Sequence, residues 1–220
     1  MDTNGACKEI SQQTLKRLPY YLNFLNELKM NGILQAASPQ IASALGYNDI
    51  QVRKDLASVS RSPGRPKMGF MVSELIDDIE EFLGYRNTND AILVGVGCLG
   101  RALLGYKGFQ SYGLNIAAAF DHDESKIGTE VDGKHVFSLD RLSDLCKRLN
   151  IHIGIITVPA GNAQDVCNLL VSSGIKAVWN FAPVRLKVPE GILVQNENMA
   201  ESLALLSQHL KQQSQPDKEE

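Results

Sequence analysis

The chain has few cysteines, and they are scattered: Cys7, Cys98, Cys146 and Cys167 form no CxxC pair, and no histidine stands at ligand spacing from them. A disulfide framework and a structural metal are therefore not expected, whereas free thiols in a reducing, cytoplasmic compartment are. No apolar run approaches the length of a membrane span and no signal-peptide pattern is present, so no membrane partner is expected. A catalytic proton donor is missing too. His122, His135, His152 and His209 fall in a loop, a hairpin, a strand start and a tail helix, with no Lys or Tyr constellation around them. Charge of one sign is also scarce, since the net value is only −3 over 220 residues. That balance hides an asymmetry. Residues 1–72 hold nine Lys and Arg against five Asp and Glu, a local excess of +4 that leaves −7 for the rest. A basic module attached to something else is the physical reading.

What is present is organised around Ala91-Ile92-Leu93-Val94-Gly95-Val96-Gly97-Cys98-Leu99-Gly100-Arg101. A short buried-type strand runs straight into G-x-G-x-x-G, and apolar residues at helical spacing follow, which is the dinucleotide fingerprint in its strand–turn–helix context. Gly95 permits the tight turn, Gly97 removes a Cβ from the path of a pyrophosphate, and Gly100 lets helix and strand pack closely. The helix N-terminus at Cys98 and Leu99 then offers free N–H groups to phosphate, with Cys98 read as a small residue filling the loop. Asn115 to Phe120 predicts the next strand, ending at Asp121, 21 residues after Gly100. A carboxylate there can accept from the adenosine ribose hydroxyls and repel a 2′-phosphate, favouring NAD+ and NADH over the phosphorylated forms.

Before this lies a helical module. Leu15, Leu18, Leu22, Leu25 and Leu28 predict a helix over Ser11–Met30, with Pro19 either kinking it or in its first turn. A short helix follows with Ser38 as N-cap and Gly46 as stop. A third opens at Asp49, with Ile50, Val52 and Leu56 inward and Gln51, Arg53 and Lys54 outward. This is a helix-turn-helix pattern, and the segment Ser58–Gly69, carrying Arg61, Arg65 and Lys67 among Pro63, Gly64 and Pro66, suits a basic wing along DNA. Val72–Leu83 predicts an amphipathic closing helix.

Beyond Asp121 the chain predicts a surface hairpin (Thr129–Val136), a helix around Leu139–Leu149, a strand from Ile151 to Val158, a helix at Gln164–Ser173 and a strand at Lys176–Asn180. Such alternation implies a parallel, doubly wound sheet. Thr157, Val158, Pro159 and Ala160 end a strand at its carboxyl edge, where such sheets bind ligands. Met199, Leu203, Leu206 and Leu210 then stripe a last helix that needs a partner. The expected domains are residues 1–84, 85–196, a helix at 197–212 and a polar disordered tail at 213–220.

These motifs together resemble the bacterial Rex family of redox-sensing transcriptional repressors. The resemblance covers nearly the whole chain and rests on Thr14–Tyr21, Gln51-Val52-Arg53-Lys54-Asp55-Leu56, Gly95–Arg101, Tyr106-Lys107-Gly108-Phe109, Ala119-Phe120-Asp121, Thr157–Ala160 and Asn180–Pro189. The second domain alone also looks like the CoA-binding half of succinyl-CoA synthetases. The resemblance implies an α/β homodimer of N-terminal winged-helix and C-terminal Rossmann-like domains with a swapped C-terminal helix. It also implies binding to inverted-repeat operator DNA and release when NADH rises. Two departures stand out. The family's Gly-Lys-Arg-Gly-Val-Gly-Tyr wing is here Gly64-Arg65-Pro66-Lys67-Met68-Gly69-Phe70. In addition, Asn198 replaces an Asp that in many members pairs with the arginine matching Arg17, so the charge-assisted part of that contact is lost.

NAD+ and NADH differ only at the nicotinamide, so Val158, Pro159 and Ala160 are expected to wall an apolar ring pocket, with Tyr106, Met199 of a partner helix and Phe181 as further walls. Two other classes remain: a small NAD-dependent dehydrogenase, for which little chain is left to build a substrate domain, and a CoA- or nucleotide-binding regulatory subunit, which the basic N-terminal module disfavours.

Overall fold

The computed structural model describes residues 10–65, 68–86 and 89–213. Cys7, Pro66, Lys67, Asn87, Thr88 and the segment 214–220 of the expected tail lie outside them. The chain divides into two compact units, Met1–Asn87 and Thr88–Glu220.

In the first unit α1 (Gln12–Met30) opens where the Ser11 hydroxyl accepts from the Thr14 N–H at 3.1 Å. Leu18, Tyr21, Leu22, Leu25 and Leu28 form its buried stripe, and Pro19 sits inside the helix rather than in its first turn. β1 (Gln35–Ala36), α2 (Ser38–Leu45), α3 (Asp49–Val59), β2 (Phe70–Met71) and α4 (Val72–Leu83) follow, β1 pairing antiparallel with β2. Ala37, not Ser38, is the N-cap of α2, so that helix begins one residue early. On α3 the buried positions are Val52, Asp55, Leu56 and Val59, one stripe at i, i+3, i+4 and i+7 spacing. Ile50 lies off this stripe and is 48% exposed, which corrects its expected inward place. α3 also runs further than expected, so the wing begins at Ser60. Its tip is closed by Arg65 and Gly69, which exchange backbone hydrogen bonds at 2.7 and 2.9 Å. Gly69 has φ +75°, and a Cβ there would stand 2.2 Å from the Ala36 carbonyl oxygen, so β1 requires glycine.

The second unit contains β3 (Asn89–Val94), α5 (Cys98–Leu104), α6 (Gly108–Ser111), β4 (Leu114–Asp121), β5 (Glu130–Val131), β6 (Lys134–Ser138), α7 (Leu142–Arg148), β7 (Ile153–Ile156), α8 (Ala160–Ser172), β8 (Ala177–Asn180), β9 (Leu193–Asn196) and α9 (Met199–Gln213). The sheet order is β5-β6-β4-β3-β7-β8-β9, parallel throughout except for β5 against β6. Without β5 this is the 3-2-1-4-5-6 order of a Rossmann-like, doubly wound sheet. Two strands go beyond the sequence reading. The hairpin expected at the surface contributes β6 as a parallel neighbour of β4, and β9 adds an edge strand.

Strand alternation divides the core between two faces. Ile92 and Val94 pack with Leu142, Cys146, Val166, Cys167 and Leu170, whereas Ala91 and Leu93 pack with Val96, Leu104 and Ile155. Burial pushes the Cys146 thiol up to about 11, which suits an inert core residue. By contrast, Met199, Leu203, Leu206 and Leu210 on α9 are each more than half exposed.

Candidate functional site

At the carboxyl edge of β3 the chain turns at Gly95, whose φ is +106° and whose N–H donates to the Phe120 carbonyl at 2.8 Å. A Cβ on Gly100 would stand 2.0 Å from the Gly95 carbonyl oxygen, so the start of α5 presses directly on the turn. Gly97 differs: a Cβ there would meet nothing within 4 Å, so it faces open space. The three glycines thus serve a turn, a close approach and an open face. Cys98, exposed and unpaired, is the first residue of α5, and Leu99 follows it.

The Thr157 hydroxyl donates to the carbonyls of Gly95 at 2.7 Å and Val94 at 3.1 Å. Val158 lies against the Gly95 turn, Pro159 is the N-cap of α8, and Ala160 is its first residue. Two sequence motifs more than 60 residues apart therefore meet where β3 and β7 are neighbours and their connections diverge, the position at which doubly wound sheets bind dinucleotides.

Asp121, at the end of β4, is 3% exposed. Its Oδ2 accepts from the Val96 N–H at 2.7 Å and from Lys126 Nζ at 3.0 Å, and its Oδ1 accepts from the Asp123 N–H at 3.0 Å. His122 Nδ1 lies 3.3 Å from Oδ1. Burial alone would raise the pKa of this carboxyl, but the Asp123 N–H, the Lys126 ammonium and the Val96 N–H outweigh it and hold the group below its usual range. Val96 therefore fastens the glycine loop to Asp121 through its backbone while its side chain fills the core.

The expected ring-pocket walls are only partly assembled. Tyr106 is half-exposed beside the start of β4, lining a cavity of about 500 Å³ with Phe109, Asp132 and Lys134. The reason is geometric: α5 carries the chain about 10 Å from the glycine loop before Tyr106 is reached. Edge-to-face contacts run from Tyr106 to Phe109 and from Phe109 to Trp179, and Trp179 packs on Phe181 at 4.9 Å. Trp179 Nε1 donates to Glu197 at 2.9 Å, at the root of α9. Met199 heads the exposed stripe of that helix, and Asn198 caps it by accepting from the Ala200 and Glu201 N–H groups at 3.1 and 3.4 Å.

In the first unit the expected DNA-facing residues divide into free and committed groups. Together with Ser38 and Pro39 of α2 and Pro63 and Gly64 of the wing, Arg53 and Arg65 both line a groove of about 430 Å³. With Lys54, they join no ion pair recorded among the described residues. Arg61 is committed: its Nε pairs with Asp78 at 2.5 Å and its Nη1 with Glu81 at 3.0 Å, tying the wing to α4. Lys67 lies outside the described residues.

Gln51 is also engaged, donating to Asp55 Oδ1 at 2.8 Å. Asp55 is the hub of this unit. It accepts from Thr14 at 3.1 Å, from Tyr21 at 2.8 Å and from both Nε and Nη2 of Arg17 at 2.7 and 3.1 Å. Burial would raise its pKa, but Arg17, Tyr21, Gln51 and Thr14 hold it low. Sequence reasoning missed both Asp55 and Lys126. For Asp55 a signal was present, a carboxylate set within the Val52-Leu56-Val59 stripe; for Lys126 no spacing rule marks it.

The chain is similar to known proteins along nearly its full length. A family model described as "CoA binding domain" matches residues 86–184, and one described as "Putative DNA-binding protein N-terminus" matches residues 9–57. The redox-sensing transcriptional repressor Rex of Porphyromonas gingivalis is 39% identical over 203 residues, covering 92% of this chain and 93% of its own. The Rex protein of Bacteroides fragilis is 41% identical, covering 92% and 91%. Among solved structures, RSP in complex with β-NAD+ and operator DNA has a TM-score of 0.88 at 32% identity, covering 94% of each chain. RSP in complex with β-NADH has a TM-score of 0.82, covering 93% of this chain and 95% of that one. On fold, motifs and identity along nearly its full length, the chain belongs to the Rex family of redox-sensing transcriptional repressors.

Proposed function

We propose that this protein is a non-catalytic homodimeric repressor that binds inverted-repeat operator DNA and is released when NADH rises relative to NAD+. The observation that carries this reading is the meeting of Gly95–Gly100, Asp121 and Thr157–Ala160 at one sheet edge, in a chain that also holds a winged helix-turn-helix. Residues 1–84 read DNA, 85–196 hold the dinucleotide, and the helix at 197–212 exchanges onto the partner subunit, followed by the tail.

The glycine loop meets parts common to both cofactor forms and so cannot tell them apart. Discrimination belongs to the ring end, where Val158, Pro159 and Ala160 offer apolar cover that disfavours the cationic nicotinamide. Tyr106 and Met199 complete that cover in the dimer. Arg17 and Asn198 couple ligand state to the DNA-binding units. The amide of Asn198 accepts a hydrogen bond without the attraction of a carboxylate, which makes the response shallower. The output is the distance between two recognition helices, which must match half-sites about 34 Å apart or a multiple of it.

Operator affinity measured across a range of NADH to NAD+ ratios is expected to fall as NADH increases. Constant affinity across the range sinks the sensor reading while leaving DNA binding intact. A second expectation separates the two wing arginines. Arg65→Ala should weaken operator binding and reduce the magnitude of the log–log salt slope by about 1, as loss of one phosphate contact requires. Arg61→Ala should leave the slope unchanged, because that guanidinium is occupied by Asp78 and Glu81.

A further inference from the structure

We propose that Lys126 shares the reading of the adenosine ribose with Asp121 and sets how strongly a 2′-phosphate is refused. The inference rests on the dinucleotide reading above. A bare carboxylate has about four acceptor positions. At Asp121 the Val96 N–H, the Asp123 N–H and Lys126 already take three of them. One remains, whereas a ribose brings two hydroxyls.

Lys126 supplies what is missing. Its ammonium has three donors, two of them directed at Asp121 Oδ2 at 3.0 Å and Asp123 Oδ2 at 3.5 Å. The third is left for a ribose oxygen, and the side chain remains 25% exposed. The loop that carries it is held in place. Asp123 Oδ1 accepts from the Ser125 N–H at 3.0 Å and the Ser125 hydroxyl at 2.6 Å, and the Lys126 N–H donates to the Asp123 carbonyl at 2.9 Å.

The pair also changes the electrostatics that a lone acid would impose. Lys126 offsets one of the two carboxylate charges that Asp121 and Asp123 bring, with the exposed His122 as the other titratable group in contact. A 2′-phosphate thus meets a triad of net charge −1 instead of the −2 that Asp121 and Asp123 would present without Lys126, and the penalty against it is moderated. Removing Lys126 should weaken both cofactors and widen the gap between them.

The test is NADH binding and its displacement by NADPH in the wild-type protein, Lys126→Met and Lys126→Arg. Lys126→Met is expected to bind NADH about 10-fold more weakly, the worth of one charge-assisted hydrogen bond. It should bind NADPH about 100-fold more weakly, so that the preference for NADH rises about tenfold, and Lys126→Arg should restore both. Parallel losses at a constant NADPH to NADH ratio would make Lys126 a loop support only and overturn the proposal. So would unchanged NADH affinity in Lys126→Met, or a wild-type protein from which NADPH displaces no NADH. A wild-type protein that binds no NADH overturns the dinucleotide reading itself, a different and separately visible result.

Discussion

Asp55→Ala is expected to destabilise the N-terminal unit by roughly 3 kcal/mol, the usual cost of removing one partner from a buried ion pair, and to abolish operator binding. Four side chains from α1 and α3 converge on this carboxylate. Without it the Tyr21 hydroxyl, in a fully buried residue, loses its acceptor, and an unsatisfied buried hydroxyl is costly. Gln51 and Arg17 are released at the same time, so the recognition helix loses its fixed angle to α1.

Domain stabilities are commonly about 5–15 kcal/mol, so a loss of this size is a large fraction of the total. Urea unfolding followed by tyrosine and far-ultraviolet signals reads the effect. Trp179, the only tryptophan, lies in the other unit and should report an unchanged transition. The acid limb is a second readout. Because the folded pKa of Asp55 is depressed, its contribution is present above the unfolded carboxyl pKa and lost as pH falls through the folded one. The alanine variant should therefore lose less stability on acidification than the wild type.

Gly97→Ala is expected to leave the fold intact and to weaken dinucleotide binding at least about 100-fold, or about 2.7 kcal/mol. Gly97 has φ −84° and ψ −164°, a conformation open to any L residue, and a Cβ there touches no protein atom. On the proposed reading, the added methyl group projects into the space that a pyrophosphate needs. An unchanged melting temperature together with lost NADH binding, and operator binding that no longer responds to NADH, is the predicted pattern. Wild-type affinity would place the phosphates elsewhere. Gly100→Ala offers the contrast, since its Cβ would overlap the Gly95 carbonyl and disturb the loop with or without ligand.

Much of this was legible in the chain because it is local. The 3.6-residue period of Val72–Leu83 marks α4 at both ends, and the glycine spacing marks the turn at Gly95. What escaped depends on partners distant in sequence. Tyr21 and Asp55 are 34 residues apart, and Arg61 and Asp78 are 17 apart. A cation that looks free in the sequence can be occupied by an acid that only folding brings near, as happens to Arg61 but not to Arg53 or Arg65. β9 escaped for a related reason: it lies at an edge, and only Val194 of its four residues is even partly buried.

On the proposed dimer, the exposed Leu203, Leu205 and Leu206 of α9 tie the molecule's survival to its own abundance. If that stripe is sheltered only by a second copy, mass action governs folding as well as signalling. Dilution should then yield a sticky, short-lived chain rather than an inactive but sound one, and a cell making too little of this repressor would lose it to proteolysis before it lost regulation.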